Sequence, residues 1–432
     1  MIATVLFVAF VVMMLLGVPI GAALGLAGAA CIALANPDAQ WFGLLAVPQN
    51  FYAGLGKYPL LAIPMFVLVG SIFDRSGVAQ RLVNFAIAIV GRGPGMLPMV
   101  AILVAMFLGG ISGSGPANAA AVGAVMIAAM SRAGYPAAFS ASVVGAAAAT
   151  DILIPPSVAF IVYSVLVPGA SVPALFAAGM VPGVLAGIAL IVPTVWMARK
   201  HNMGAHESSL PRPPFWQSLR EASWGLAAPI LILGGMRAGW FTPTEAAVVA
   251  VFYGLFVGMV IHRTIRMRDL FVILRESGEL SAVILLVVSL AGIFAFSLST
   301  LGVIDPVTNA IVNSGLGEYG VLALLILMLI TVGMFLDGVS IFLIFVPLLW
   351  PIVQFYKWDP VWFGVILTLK VALGQFTPPL AVNLMVSCRI AGVRMEDTVR
   401  WVGWMLFSMF LVMVAVIAWP ELATWLPRYL GY

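Results

Sequence analysis

The chain has 432 residues, 63% of them hydrophobic and only 8% charged. A soluble domain carries about 25% charged residues, so the composition excludes an ordinary soluble fold and points to an integral membrane protein. Two cysteines, three histidines and a net charge of +4 give no disulfide framework, no zinc-type spacing and no basic patch for nucleic acid.

Residues 2–37, 93–131 and 152–198 contain no charged side chain, and a spanning helix needs about 20 apolar residues. The N-terminal Met-Ile-Ala-Thr lacks the positive start of a signal peptide, so 2–17 reads as a retained span. In chain order the first half is predicted to cross at about 2–17, 20–36, 59–75, 136–167 and 173–198. A hairpin over 95–133 lies between the third and fourth crossings. Residues 199–222 are polar and form a linker. The second half is predicted to cross at about 224–239, 244–262, 280–299, 360–389 and 399–425, with a hairpin over 319–357. The fold class is therefore an all-α polytopic membrane protein with a first repeat at 1–198 and a second at 223–432.

The halves share a pattern. Pro155-Pro156, Ser164 and Gly169 recur as Pro378-Pro379, Ser387 and Gly392, each 223 residues later, as do Gly110 and Gly115 at Gly333 and Gly338. Five crossings per half make the second repeat inverted relative to the first. Fifteen of the twenty Lys and Arg, among them Arg75, Arg132, Arg199, Lys200 and Arg275, fall on one predicted side. By the positive-inside rule that side is cytoplasmic. The linker is then inside, both termini are outside, and the 95–133 hairpin, flanked by Arg92 and Arg132, re-enters from the cytoplasm.

Its tip reads Gly109-Gly-Ile-Ser112-Gly-Ser114-Gly-Pro-Ala-Asn118, poor in helix formers and rich in turn formers. Unpaired backbone at membrane depth is tolerated where it is buried in protein or lines a wet cavity. Ser112 and Ser114 are candidate Na⁺ ligands, and Asn118 is a candidate for substrate; the alternative is a small-residue packing face. The matching tip carries Asp337, which at mid-membrane costs on the order of 3 kcal/mol unless partnered. It is a candidate cation ligand or a helix N-cap.

Each proline pair is expected to interrupt its helix, because proline removes a donor and clashes with the preceding turn. Freed carbonyls suit Na⁺, and the positive ends of half-helices suit carboxylates. The carbonyls near Pro155 join the first ion site, and Gly374 and Thr377 join Asp337 in the second. Lys370 and Asn383 are candidates for substrate, with Lys370 otherwise a structural pair. Asp151, four residues before Pro155, is a further buried charge. A duplicated, interrupted membrane chain of this kind is a secondary-transporter pattern, with its sites where the halves meet. A membrane hydrolase built on Asp151 and Asp337 is disfavoured by the absence of a common motif, and no ATPase motif is present.

Pro59-Leu-Leu-Ala-Ile-Pro64, Ile111-Ser-Gly-Ser114, Ile154-Pro-Pro-Ser157, Phe241-Thr-Pro-Thr-Glu-Ala246 and Thr377-Pro-Pro379 resemble, as an ordered set, the large membrane subunit of TRAP transporters, the DctM-like permeases. The resemblance runs from about residue 5 to 425. It implies an elevator-type secondary transporter in a bacterial inner membrane, with periplasmic termini here. It further implies uptake of an organic acid, C4-dicarboxylate-like or a sugar acid, with Na⁺ as coupling ion and no other cofactor. The implied partners are a small four-helix membrane subunit and a periplasmic substrate-binding protein. Gly115-Pro-Ala-Asn118 and Lys370 depart from the family pattern. A stand-alone Na⁺/dicarboxylate symporter is the alternative.

Overall fold

The structure is a computed structural model that describes residues 2–35, 40–91, 93–207, 212–334, 336 and 338–432. Arg92 and Asp337 lie outside the described residues. Every regular element among the described residues is helical. The first half runs Ile2–Leu15 (α1), Ile20–Ala35 (α2), Gln40–Leu55 (α3), Ala62–Arg75 (α4), Val78–Val90 (α5), Met96–Ser112 (α6), Gly115–Arg132 (α7), Ala137–Ala148 (α8), Val158–Leu166 (α9) and Val172–Lys200 (α10). The second runs Phe215–Arg237 (α11), Pro243–Leu255 (α12), Met267–Thr300 (α13), Ile304–Val312 (α14), Gly317–Gly333 (α15), Gly338–Phe355 (α16), Pro360–Gly374 (α17), Val382–Ala391 (α18), Val399–Ala418 (α19) and Glu421–Leu430 (α20).

Among the described residues, six helices are long and apolar enough to cross a membrane: Tyr58–Arg75, Val172–Lys200, Pro243–Ile261, Met267–Thr300, Gly338–Phe355 and Met395–Ala418. The proline-interrupted segments are different. At about 1.5 Å per residue, α8 and α9 each cover roughly half of a ~30 Å hydrocarbon core.

Local chemistry sets the helix starts. Ser157 and Ser171 accept from Phe160 N (3.4 Å) and Ala174 N (3.3 Å) and cap α9 and α10. The Asp359 carboxylate accepts from Val361 N (2.8 Å) and Trp362 N (3.1 Å) and starts α17 at Pro360. Thr242 and Glu245 form a capping box ahead of α12. Each device satisfies amides that a helix N-terminus leaves without partners.

Three expected spans differ, the first being that placed at 224–239, which belongs to a helix that begins at Phe215 within the expected linker. The crossing placed at 280–299 belongs to a helix that begins at Met267. Its first turns hold good helix formers and an Arg275–Glu279 pair at 2.8 Å, which sustains helix outside an apolar run. The crossing placed at 399–425 stops at Ala418, and α20 starts afresh after Pro420.

The interrupted helices of the two halves interlock. α8 packs on α18, while α9 packs on α16 and α17. Nearly all of α8, Phe139–Ala148, and of α17, Trp362–Gly374, is buried, and a helix apolar all round belongs in the interior. Gly145 makes the first contact possible, since a Cβ there would lie 2.9 Å from Leu384 Cα. Tyr163 ties the second, its hydroxyl donating to Pro360 O at 2.8 Å. Around this centre α13 packs on α2, α3 and α4, α4 on α12, and α5 on α11. Both proline breaks therefore end in the middle of the protein.

Candidate substrate and ion site

A cavity of about 270 Å³ lies where these breaks meet. Its wall takes Ser112–Ala117 from the α6–α7 turn, Gly333, Leu336, Gly338 and Val339 from the α15–α16 turn, and residues from both breaks. Asp74 and Ser71 of α4 and Leu280 and Ile284 of α13 complete it. Four helices begin at its edge: α7 at Gly115, α9 at Val158, α16 at Gly338 and α18 at Val382. Three end there: α6 at Ser112, α15 at Gly333 and α17 at Gly374. Helix N-termini carry free amides and about +0.5 of an elementary charge, and C-termini the opposite. Anions are thus favoured at one set of walls and cations at the other.

Two of these N-terminal ends, those of α7 at Ser114 and α18 at Ala381, carry no side-chain cap, whereas Ser157 caps α9. Ala381 has φ +43°, the left-handed region that an L residue enters at a cost of about 1–2 kcal/mol.

Behind the Ser112 side of the wall stands Asp151, which does not itself line the cavity. Its carboxylate is fully buried, and Oδ2 accepts from Ser112 Oγ at 3.3 Å. The amides of Gly113 and Ser114 approach the same group, while Oδ1 has no hydrogen-bond partner among the described residues. Oδ1 rests against Gly109, where a Cβ would come within 2.9 Å of it. Asp74 on the cavity wall is within electrostatic range of Asp151. Two carboxylates, a hydroxyl and a helix end with free carbonyls are hard oxygen donors, the set that suits Na⁺ or another hard monovalent cation. The described lining contains no Lys or Arg.

Of the residues singled out in the sequence, Ser112, Ser114 and Gly374 line the cavity. Pro155 lies behind it, with its carbonyl 3.5 Å from where a Cβ on Gly110 would sit. The Thr377 hydroxyl is turned back onto Leu373 O at 2.6 Å. Asn383 is buried and donates to Gln375 Oε1 at 2.9 Å. Both amide side chains press on Gly115, where a Cβ would meet Gln375 Oε1 at 2.6 Å and Asn383 Nδ2 at 2.7 Å. Asn118 is away from the wall, its amide donating to Ala105 O at 2.8 Å, which ties α7 to α6. Lys370 is also behind the wall, against Gly333.

Asp74 was not legible as a site residue. It stands at the end of an apolar run beside Arg75 and reads as a flanking charge. Its place on the cavity wall comes from α4 packing on α6, which no local pattern announces.

Residues 7–422 match the sequence pattern of the family described as tripartite ATP-independent periplasmic transporter, DctM component. The chain is 37% identical over 415 residues to the C4-dicarboxylate TRAP transporter large permease protein DctM of Pseudomonas aeruginosa, covering 94% of each chain. It is 35% identical to the isethionate TRAP transporter permease protein DctMQ of Oleidesulfovibrio alaskensis, over 91% of this chain and 61% of that one. Its fold is similar to that of the Alcanivorax borkumensis YdaH transporter, with a TM-score of 0.55 at 14% identity over 90% of this chain and 91% of that one. With the family pattern spanning nearly its whole length, the chain belongs to the DctM family, the large permease component of TRAP transporters.

Proposed function

We propose that this permease imports a small organic acid by cation-coupled secondary transport, with Na⁺ as the coupling ion. The observation that carries the proposal is the cavity between the halves, with four helix N-termini on its wall and a buried carboxylate behind it. The amide ends of α7 and α18, which lack side-chain caps, receive the substrate carboxylate. Asp151, Ser112 and the carbonyl ends receive the cation. One similar protein is named for C4-dicarboxylate and another for isethionate. Both substrates are small anions, and a site built from backbone amides accepts either without a dedicated guanidinium.

The two helical hairpins, α6–α7 and α15–α16, are proposed to re-enter the membrane from opposite sides, as an inverted repeat requires. With α8–α10 and α17–α19 they form the moving body of an elevator. α1–α5 and α11–α14 form the frame. The orientation follows the positive-inside rule, with both termini periplasmic in a bacterial inner membrane. The partners proposed are a small four-helix membrane subunit and a periplasmic binding protein.

Uptake of labelled organic acids into proteoliposomes tests this. The chain is co-reconstituted with its small subunit, with and without an inward Na⁺ gradient and the binding protein. Uptake that requires both supports the proposal. Uptake without the binding protein favours the stand-alone symporter, and uptake indifferent to Na⁺ removes that ion from the mechanism.

A further inference from the structure

Lys370 is fully buried, four residues before the end of α17. Among the described residues its Nζ has no hydrogen-bond partner and joins no ion pair. The ammonium lies on the bare Cα of Gly333, where any Cβ would collide with Nζ. Gly333 is the last residue of α15. Its carbonyl oxygen faces Gly374, the last residue of α17, 2.7 Å from where a Cβ would sit. The amine therefore lies beside the C-terminal ends of α15 and α17, in the field of their negative ends, with no carbonyl of the described residues bonded to it. Carbonyls at such ends are the oxygen donors that otherwise collect a monovalent cation at a break in a membrane helix.

The first half holds the opposite charge. At the 223-residue offset that relates Pro155 to Pro378, Asp151 corresponds to Gly374. There the buried group is a carboxylate with an unpartnered oxygen, which a proton or a cation from outside can satisfy. In the second half the cation is already part of the chain. A lysine stem of four carbons lets a compact ammonium reach a fixed point, much as an ion would occupy it.

We propose that the Lys370 ammonium is a built-in cation that fills the second-half site in place of an exchangeable ion, leaving the Ser112–Asp151 region to take up and release the coupling cation. The identity of that exchangeable ion as Na⁺ rests on the function proposed above; the role of Lys370 does not.

The test counts Na⁺ bound per chain, by equilibrium dialysis of radiolabelled Na⁺ against the purified permease with its small subunit. Wild type is compared with Lys370→Met, which keeps the stem and vacates the Nζ position. One additional Na⁺ per chain in Lys370→Met is the expected result. An equal or lower count overturns the proposal. If wild type binds none and the variant binds one, the built-in cation stands and Na⁺ coupling falls. If wild type binds Na⁺ and the variant binds no more, the reverse holds. Should Lys370→Met fold in NaCl but not in choline chloride, Na⁺ is standing in for the ammonium, which also supports the proposal. Failure to fold in either, with Lys370→Arg folded in both, shows a charge requirement that Na⁺ cannot meet and overturns it.

Discussion

Ala381 on the cavity wall and Asp151 behind it carry the two chemistries proposed for the site. Asp151 presents one hydrogen-bonded oxygen to Ser112 and one free oxygen. A hydrogen bond to a charged group contributes about 1.5–3 kcal/mol, and every ~1.4 kcal/mol is tenfold in affinity. Asp151→Asn should therefore raise the Na⁺ concentration needed for half-maximal uptake by roughly ten- to hundredfold. Uptake measured against Na⁺ concentration checks it, and an unchanged curve would remove Asp151 from the ion site. Ala381 opens α18 at φ +43°, and glycine adopts that conformation without the Cβ clash. Ala381→Gly should raise stability by about 1 kcal/mol, read as a higher unfolding temperature in detergent. An unchanged or lower temperature would show that the backbone there carries no such penalty.

At the scale of elements, the interlock of α8 with α18 fixes where both breaks fall. It depends on Gly145, whose missing side chain lets the two backbones touch. Gly145→Ala would place a Cβ 2.9 Å from Leu384 Cα, and backbone cannot yield as a flexible side chain does. The expected loss is about 1–3 kcal/mol, with uptake reduced as the breaks separate. Gly403→Ala in α19, where a Cβ meets nothing within 4 Å, is the control and should leave both unchanged. Thermal unfolding and uptake of the two variants side by side decide it. The helix inventory was largely legible, because apolar runs, capping residues and proline pairs act over a few residues. The continuation of α13 to Met267 was not, because an amphipathic, charged stretch carries no spanning signal.

Across the whole molecule, the polar linker is stitched to the first hairpin. Glu207 is 2% exposed and accepts from Leu97 N at 2.7 Å, satisfying an amide at the start of α6. Tyr135, between α7 and α8, donates its hydroxyl to the same carboxylate and accepts from Gly95 N at 2.7 Å. Burial pushes the Glu207 carboxyl above its ordinary value, against the lowering effect of these hydrogen bonds. Burial and the adjoining carboxylate likewise raise the Tyr135 phenol. For Glu207 the folded state then binds its proton more tightly than the unfolded state. Its contribution to stability is fully present below the ordinary value of 4.5 and is lost as pH rises through the higher folded value. Glu207→Gln should flatten the dependence of unfolding temperature on pH across that window. A variant that retains the wild-type slope would place the titrating group elsewhere.

The sequence by itself determined the class, the duplicated pattern, the helix content and the family, because hydropathy and turn chemistry are local and repeat at a fixed offset. It also named the two tips and the two breaks. Tertiary structure decided which of those residues meet. Ser112, Ser114 and Gly374 reach the cavity, while the Asn118 amide nitrogen and the Thr377 hydroxyl bond within their own hairpin or helix. Asp74 joins the wall from a helix that sequence assigns to a plain span, and Lys370 lies behind Gly333 rather than in the cavity. The reason is physical: a side chain's partners across a helix–helix contact depend on the rotation and depth of both helices. Those are set by close approaches such as Gly145 on Leu384, which no stretch of sequence contains.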